Sequence, residues 1–112
     1  MSGMEDFTVN EMLELQRKLL EEYKDRWKPF CPELSKEKLL FMVSEIGEVI
    51  DIIKKNGGQR ATEDAQLRAH LVEEMADVLM YYSETLLCYG ITAGELKRAY
   101  TEKVESNMTR WK

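Results

Sequence analysis

The chain has 112 residues, of which 44% are apolar and 33% charged, with a formal net charge of −5. That length and apolar content suit one small domain with a core. An acidic balance argues against a nucleic-acid polymer as the main partner, because neutralising phosphates needs a basic face. No apolar run approaches the ~20 residues of a membrane span, and the acidic opening MSGMEDFTVNEM lacks the charged-then-apolar pattern of a signal peptide. Cys31 and Cys88 are widely spaced and form no zinc knuckle, so free thiols in a reducing cytoplasm are expected.

No stretch alternates with a strand-like period, and Pro and Gly fall between periodic segments. The pattern predicts an all-α chain of four helices, a single domain over residues 1–112. The first helix is expected from about Val9 to Trp27. Thr8 and Glu11 form a capping box at its start, and Met12, Leu15, Leu19 and Tyr23 form its apolar stripe. Pro29 and Pro32 then break the chain. Ser35 is placed to cap the second helix, expected from about Lys36 to Lys55, with a core stripe of Leu39, Met42, Val43, Ile46, Val49, Ile50 and Ile53. Asn56-Gly57-Gly58 stops it, and the stretch from Gly57 to Arg60 reads as a loop. The third helix is expected from near Thr62 to Tyr89, with Leu67, Leu71, Met75, Val78, Leu79, Tyr82 and Leu86 inward and Gly90 in the left-handed position after it. The fourth starts after Thr92, which pairs with Glu95 in a second capping box. It carries Leu96, Tyr100 and Val104 and runs to near Asn107.

Two acid pairs carry the chemistry: Glu45-Ile-Gly-Glu48 and Glu74-Met-Ala-Asp77. A spacing of three places both acids of a pair on one helical face. At 100° per residue, Glu45 lies about 100° and Glu48 about 160° from the centre of the second helix's core stripe. Phe41 and Ile52 fall on the same side as these acids. Glu74 sits at the margin of the third helix's apolar face, beside Val78 and Tyr81. Two such helices side by side could aim four hard oxygen donors at one point, as Mg²⁺ or Mn²⁺ requires. The pairs alone leave two readings open, solvated faces or one ion site. Asp51 and Glu73 are further candidates that spacing does not exclude.

Taken in order, Ser44-Glu45-Ile46-Gly47-Glu48-Val49, then Glu73-Glu74-Met75-Ala76-Asp77-Val78-Leu79, then Lys103-x-x-x-Asn107-x-x-Arg110-Trp111, these segments resemble the MazG-like members of the all-α nucleoside triphosphate pyrophosphohydrolases. The resemblance spans about Leu39 to Trp111 and includes the Gly90-Ile91 step. It implies a MazG-like helical bundle completed by oligomerisation, as a homodimer or homotetramer. It also implies Mg²⁺-dependent cleavage of a nucleoside or deoxynucleoside triphosphate between the α and β phosphates, in nucleotide-pool housecleaning. By motif match, Glu45, Glu48, Glu74 and Asp77 are catalytic and hold the metal. Lys103, Asn107 and Arg110 face the phosphates across a subunit boundary, and Tyr81 borders the base. Some pyrimidine-preferring relatives carry Trp seven residues after the second Glu, where this chain has Lys55. Arg26-Trp27-Lys28-Pro29-Phe30 is a second source of base-binding aromatics.

Blander readings stand beside these. Trp27 and Phe30 suit packing or an interface, Lys38 a solvated lysine, His70 a helix surface, and the seven methionines core filler. Apolar residues beyond one stripe (Phe41, Ile52, Met80, Leu87) point to a further buried face and a homo-oligomer. Two alternatives remain. One is a catalytically silent helical oligomer acting as regulator or adaptor. The other is a phosphoribosyl-ATP pyrophosphohydrolase, whose Ser-Tyr-Thr-like upstream segment this sequence lacks.

Overall fold

The computed structural model describes residues 6–111. The ends of the expected domain, residues 1–5 and 112, lie outside it, as does the start of the N-terminal stretch weighed as a signal peptide. The described residues form helices and no strand: α1 (Val9–Tyr23), a 3₁₀ turn (Pro32–Leu34), α2 (Ser35–Asn56), α3 (Gly58–Glu63), α4 (Ala65–Cys88) and α5 (Ala93–Arg110). None of these helices is long and apolar enough to cross a membrane.

Local chemistry sets the boundaries. At α1, Thr8 Oγ1 accepts from the Glu11 amide at 3.0 Å while the Thr8 amide donates to Glu11 Oε1 at 3.1 Å, satisfying donors that a helix start leaves free. Thr92 and Glu95 repeat the device at α5. α1 ends at Tyr23, earlier than the expected Trp27. Its last turn loosens, with the Arg26 and Trp27 amides both donating to the Tyr23 carbonyl. Trp27 still stacks on Tyr23, ring centres 5.1 Å apart. Ser35 opens α2 from inside the helix. Its hydroxyl donates to the Pro32 carbonyl at 2.8 Å and meets Tyr89 Oη at 2.7 Å.

The stretch expected as a loop is helical. α3 adds a fifth helix between Gly57, at φ 84°, and Asp64. Ala61 is its buried anchor, 1% exposed, and Thr62 Oγ1 donates back to the Gly58 carbonyl at 3.3 Å. Asp64 then ends α3 and caps α4, Oδ1 accepting from the amides of Gln66 at 3.0 Å and Leu67 at 3.1 Å. The third expected helix therefore begins at Ala65. Gly90, at φ 63°, turns the chain after α4 as anticipated.

α2 and α4 form the long antiparallel pair at the centre, with successive side chains meeting along one seam. Ser35 meets Tyr89, Lys38 meets Glu84, Phe41 meets Tyr81, and Glu45 and Glu48 meet Glu74. This seam is not the stripe the hydrophobic pattern selects. Of the expected α2 stripe, Val49 is buried and Met42 half-buried, while Leu39, Val43, Ile46, Ile50 and Ile53 are 38–62% exposed. On α4, Met75 and Leu79 are likewise exposed. The tightest core lies elsewhere, where Met12 and Leu13 of α1 close on Leu86 of α4, with Tyr82, Leu87, Ile91, Ala93 and Leu96 around them. The radius of gyration is 16.7 Å, against about 13 Å for a compact chain of this length.

Candidate metal and nucleotide site

The seam residues recur every three or four positions: Lys38, Phe41, Glu45, Glu48 and Ile52 on α2, and Glu74, Asp77, Tyr81, Glu84 and Cys88 on α4. That period keeps them on facing surfaces of two helices. At the middle, one carboxylate oxygen from each of Glu45, Glu48 and Glu74 lies within 4.8 Å of the others. Glu45 and Glu74 are half-buried and Glu48 is exposed. Asp77 falls outside this tight group, yet its charge acts on both Glu45 and Glu74.

Such crowding is costly for like charges. Burial pushes the Glu45 carboxyl up to about 7, followed by its hydrogen bond with Glu48, the Glu48 charge and its hydrogen bond with Glu74. Glu74 is raised chiefly by its hydrogen bond with Glu48, then by burial. Glu45 Oε2 and Glu74 Oε2 are shut off from solvent without any hydrogen-bond partner. Buried acceptors normally have one. Two orphaned carboxylate oxygens, facing a third acid in an all-oxygen donor set, fit a hard divalent cation.

Clefts flank the cluster. One, of about 380 Å³, is lined by Glu48, Asp51, Ile52, Lys55, Asn56, His70 and Glu74. Here the structure places Asp51 and His70, both exposed, beside the acids. Glu73 is exposed, and neither it nor Asp51 joins the three-carboxylate group. The other cleft, of about 280 Å³, lies toward the start of α2. Trp27, Pro29, Phe41 and Tyr81 form its walls, and Lys38 and Glu84 lie within it. Tyr81 joins this cleft to the cluster. Its hydroxyl is pushed up mainly by burial, then by the charges of Glu84 and Glu45.

A match to the model of the MazG nucleotide pyrophosphohydrolase domain covers residues 33–108. The chain belongs to this MazG family. No curated protein and no solved structure shows significant similarity to it. The matched span contains both acid pairs, and MazG domains as a class carry nucleotide pyrophosphohydrolase activity.

The residues expected to face the phosphates are not joined to the cluster. Lys103, Asn107 and Arg110 are on the exposed part of α5, and no hydrogen bond or ion pair among the described residues joins them to the carboxylates. Their spacing of four and three keeps them on one helical face. Lys38 departs from the solvated-lysine reading. Its side chain is only 17% exposed and its ammonium sits 3.0 Å from Glu84 Oε1. Glu84 itself was missed by the sequence reading. A signal existed, since it lies seven residues after Asp77 on the same α4 stripe.

Proposed function

We propose that this MazG chain is a Mg²⁺-dependent nucleoside triphosphate pyrophosphohydrolase working as a homo-oligomer, cleaving ribo- or deoxyribonucleotides to the monophosphate and pyrophosphate. The observation that carries the reading is the convergence of Glu45, Glu48 and Glu74 across the α2–α4 seam, with two carboxylate oxygens left without partners.

Glu45, Glu48 and Glu74 would hold the ion, with Asp77 completing the set. When bound, Mg²⁺ draws charge from phosphate oxygens and acidifies water, and Mn²⁺ can replace it. A carboxylate of the cluster takes the proton of the attacking water. Water oxygen bonds to the α phosphorus as the bond from that phosphorus to the α–β bridging oxygen breaks, and the electron pair leaves with pyrophosphate. Lys103 and Arg110 neutralise the leaving group, and Asn107 donates a hydrogen bond to it. These three reach the reacting phosphates from the α5 of a second copy. Tyr81 and Phe41, 5.6 Å apart between ring centres, form the side of the site on which the base lies.

The oligomer is supported by the exposed α2 stripe and by an apolar groove lined by Phe7, Met42, Val72, Met75, Leu79 and Tyr82. A cytoplasmic setting suits the free thiols of Cys31, half-buried, and Cys88, buried. The test is pyrophosphate release from a panel of ribo- and deoxyribonucleoside triphosphates, with Mg²⁺ and with EDTA. Release that EDTA stops supports the enzyme. Metal binding without release from any nucleotide favours the silent oligomer, whose exposed apolar faces would then serve a partner.

A further inference from the structure

Next to the carboxylate cluster, one step along the same seam, lies a buried polar network that the hydrolytic reaction does not use. Glu84 is 7% exposed, a rare burial for a carboxylate. Its Oε1 faces the Lys38 ammonium at 3.0 Å, and its Oε2 accepts from Gln16 Nε2 at 2.9 Å. Gln16 comes from α1 and is 4% exposed. The Lys38 ammonium also lies over the Phe30 ring, 4.6 Å from its centre. Three elements therefore converge to fix one cation, and a buried pair of this kind gives little net stability over apolar packing.

The pair sits in the cleft whose walls are Trp27, Pro29, Phe41 and Tyr81. Aromatic and proline surfaces suit a planar ring system. Tyr81 connects the cleft to Glu45 and Asp77, so a nucleotide with its phosphates at the cluster has this cleft within reach of its base. Both Glu84 oxygens already have partners. Lys38 has three N–H donors and no acceptor, and Glu84 takes one of them. Lys38 therefore keeps unused N–H donors facing the cleft, which Lys28, Glu37 and the Tyr81 hydroxyl also line.

Resting on the pyrophosphohydrolase reading, we propose that Lys38 reads the base by donating to a ring carbonyl, with Glu84 and Gln16 as its positioning residues, so that the enzyme favours oxo bases over their amino counterparts. An exocyclic amino group at the same place meets N–H against N–H and leaves the half-buried ammonium with no acceptor beyond Glu84. A polar site rejects such mismatched analogues strongly.

The experiment compares kcat/KM with Mg²⁺ for pairs in which an exocyclic oxo group replaces an amino group and the adjacent ring nitrogen changes from acceptor to N–H: inosine against adenosine triphosphate, and deoxyuridine against deoxycytidine triphosphate. In the native protein the oxo member of at least one pair is favoured by about tenfold or more. In Lys38→Met that ratio falls toward one. The double variant Lys38→Met/Glu84→Gln, which leaves no unpaired buried charge, shows the same collapse with native helicity. A native ratio near one, a ratio that survives in both variants, or an equal loss for all four nucleotides overturns the proposal. Equal loss would place Lys38 on the phosphates or in the fold. Should the native protein hydrolyse none of the four, the enzymatic reading fails separately. NMR titration with inosine and adenosine monophosphates then decides. Preferential inosine monophosphate binding that Lys38→Met abolishes sustains base reading, and equal or absent binding ends it.

Discussion

Glu45 shows how a single side chain ties proton binding to stability. Its carboxyl titrates near 7 in the folded chain because burial and neighbouring acids oppose its charge. The unfolded value is near 4.3, so between these limits the folded state binds more protons than the unfolded one. Stability of the metal-free protein therefore falls as pH rises from about 4.5 to about 7. Thermal unfolding in EDTA across pH 5 to 7.5 should show this decline, and Glu45→Gln should flatten it. Saturating Mg²⁺ should restore stability most at the upper end, where the acids are ionised. A metal-free protein whose Tm rises through that window would contradict the assigned origin of the shift. The neighbouring acids give a second residue-scale test. Glu48→Gln and Asp77→Asn should each abolish pyrophosphate release while circular dichroism stays native. Retained turnover in both would remove the carboxylates from the chemistry.

Among the elements, the break between α3 and α4 rests on one residue. Asp64 Oδ1 accepts from two amides at the start of α4, so Asp64→Ala should cost about 1 kcal/mol, a few degrees in Tm for a chain of this size. Asp64→Ser should recover most of it. This cap was passed over in the sequence because Thr62, two residues earlier, also reads as a helix start, and because Gly57-Gly58 signals a loop. Burial of Ala61 anchors the intervening turn as helix, and burial is a tertiary fact. The capping boxes at Thr8 and Thr92 were legible because both partners lie within three residues. The acid pairs were legible for the same reason. What pattern alone misassigned was the face on which α2 meets α4. Hydrophobic periodicity selects Leu39, Val43, Ile46, Ile50 and Ile53, whereas the seam uses Ser35, Lys38, Phe41, Glu45 and Glu48. A helix with apolar groups on one side and a polar seam on the other gives a pattern that points to the stronger stripe, and here that stripe is largely uncovered among the described residues.

At the scale of the whole molecule, that uncovered stripe and the remote Lys103, Asn107 and Arg110 point the same way. Leu39, Val43, Ile46, Ile50 and Ile53 run along α2 with exposures of 38–62%, while Val72, Met75 and Leu79 are 41–56% exposed on α4. α5 touches the body through Ala93 and Leu96 and then carries Lys103, Asn107 and Arg110 along its exposed length. A second copy seated on the apolar stripe would cover it, and could bring its own α5 to the first copy's carboxylates. Ile50→Glu separates these roles. Ile50 is 56% exposed in the single chain, so the change should alter the stability of an isolated copy by only about 0.5 kcal/mol. If the proposed oligomer forms through this stripe, the variant should nevertheless run as a monomer in sedimentation, where the native chain does not, and lose turnover. Complementation then tests the shared site. Glu48→Gln leaves the α5 cations intact, and Lys103→Ala/Arg110→Ala leaves the carboxylates intact. Each alone should be inactive. Unfolded and refolded together, they form mixed oligomers in which one site has both sets, and about a quarter of native activity should return for a randomly assorted dimer. Mixed oligomers that remain inactive would mean that each chain builds its site from its own α5.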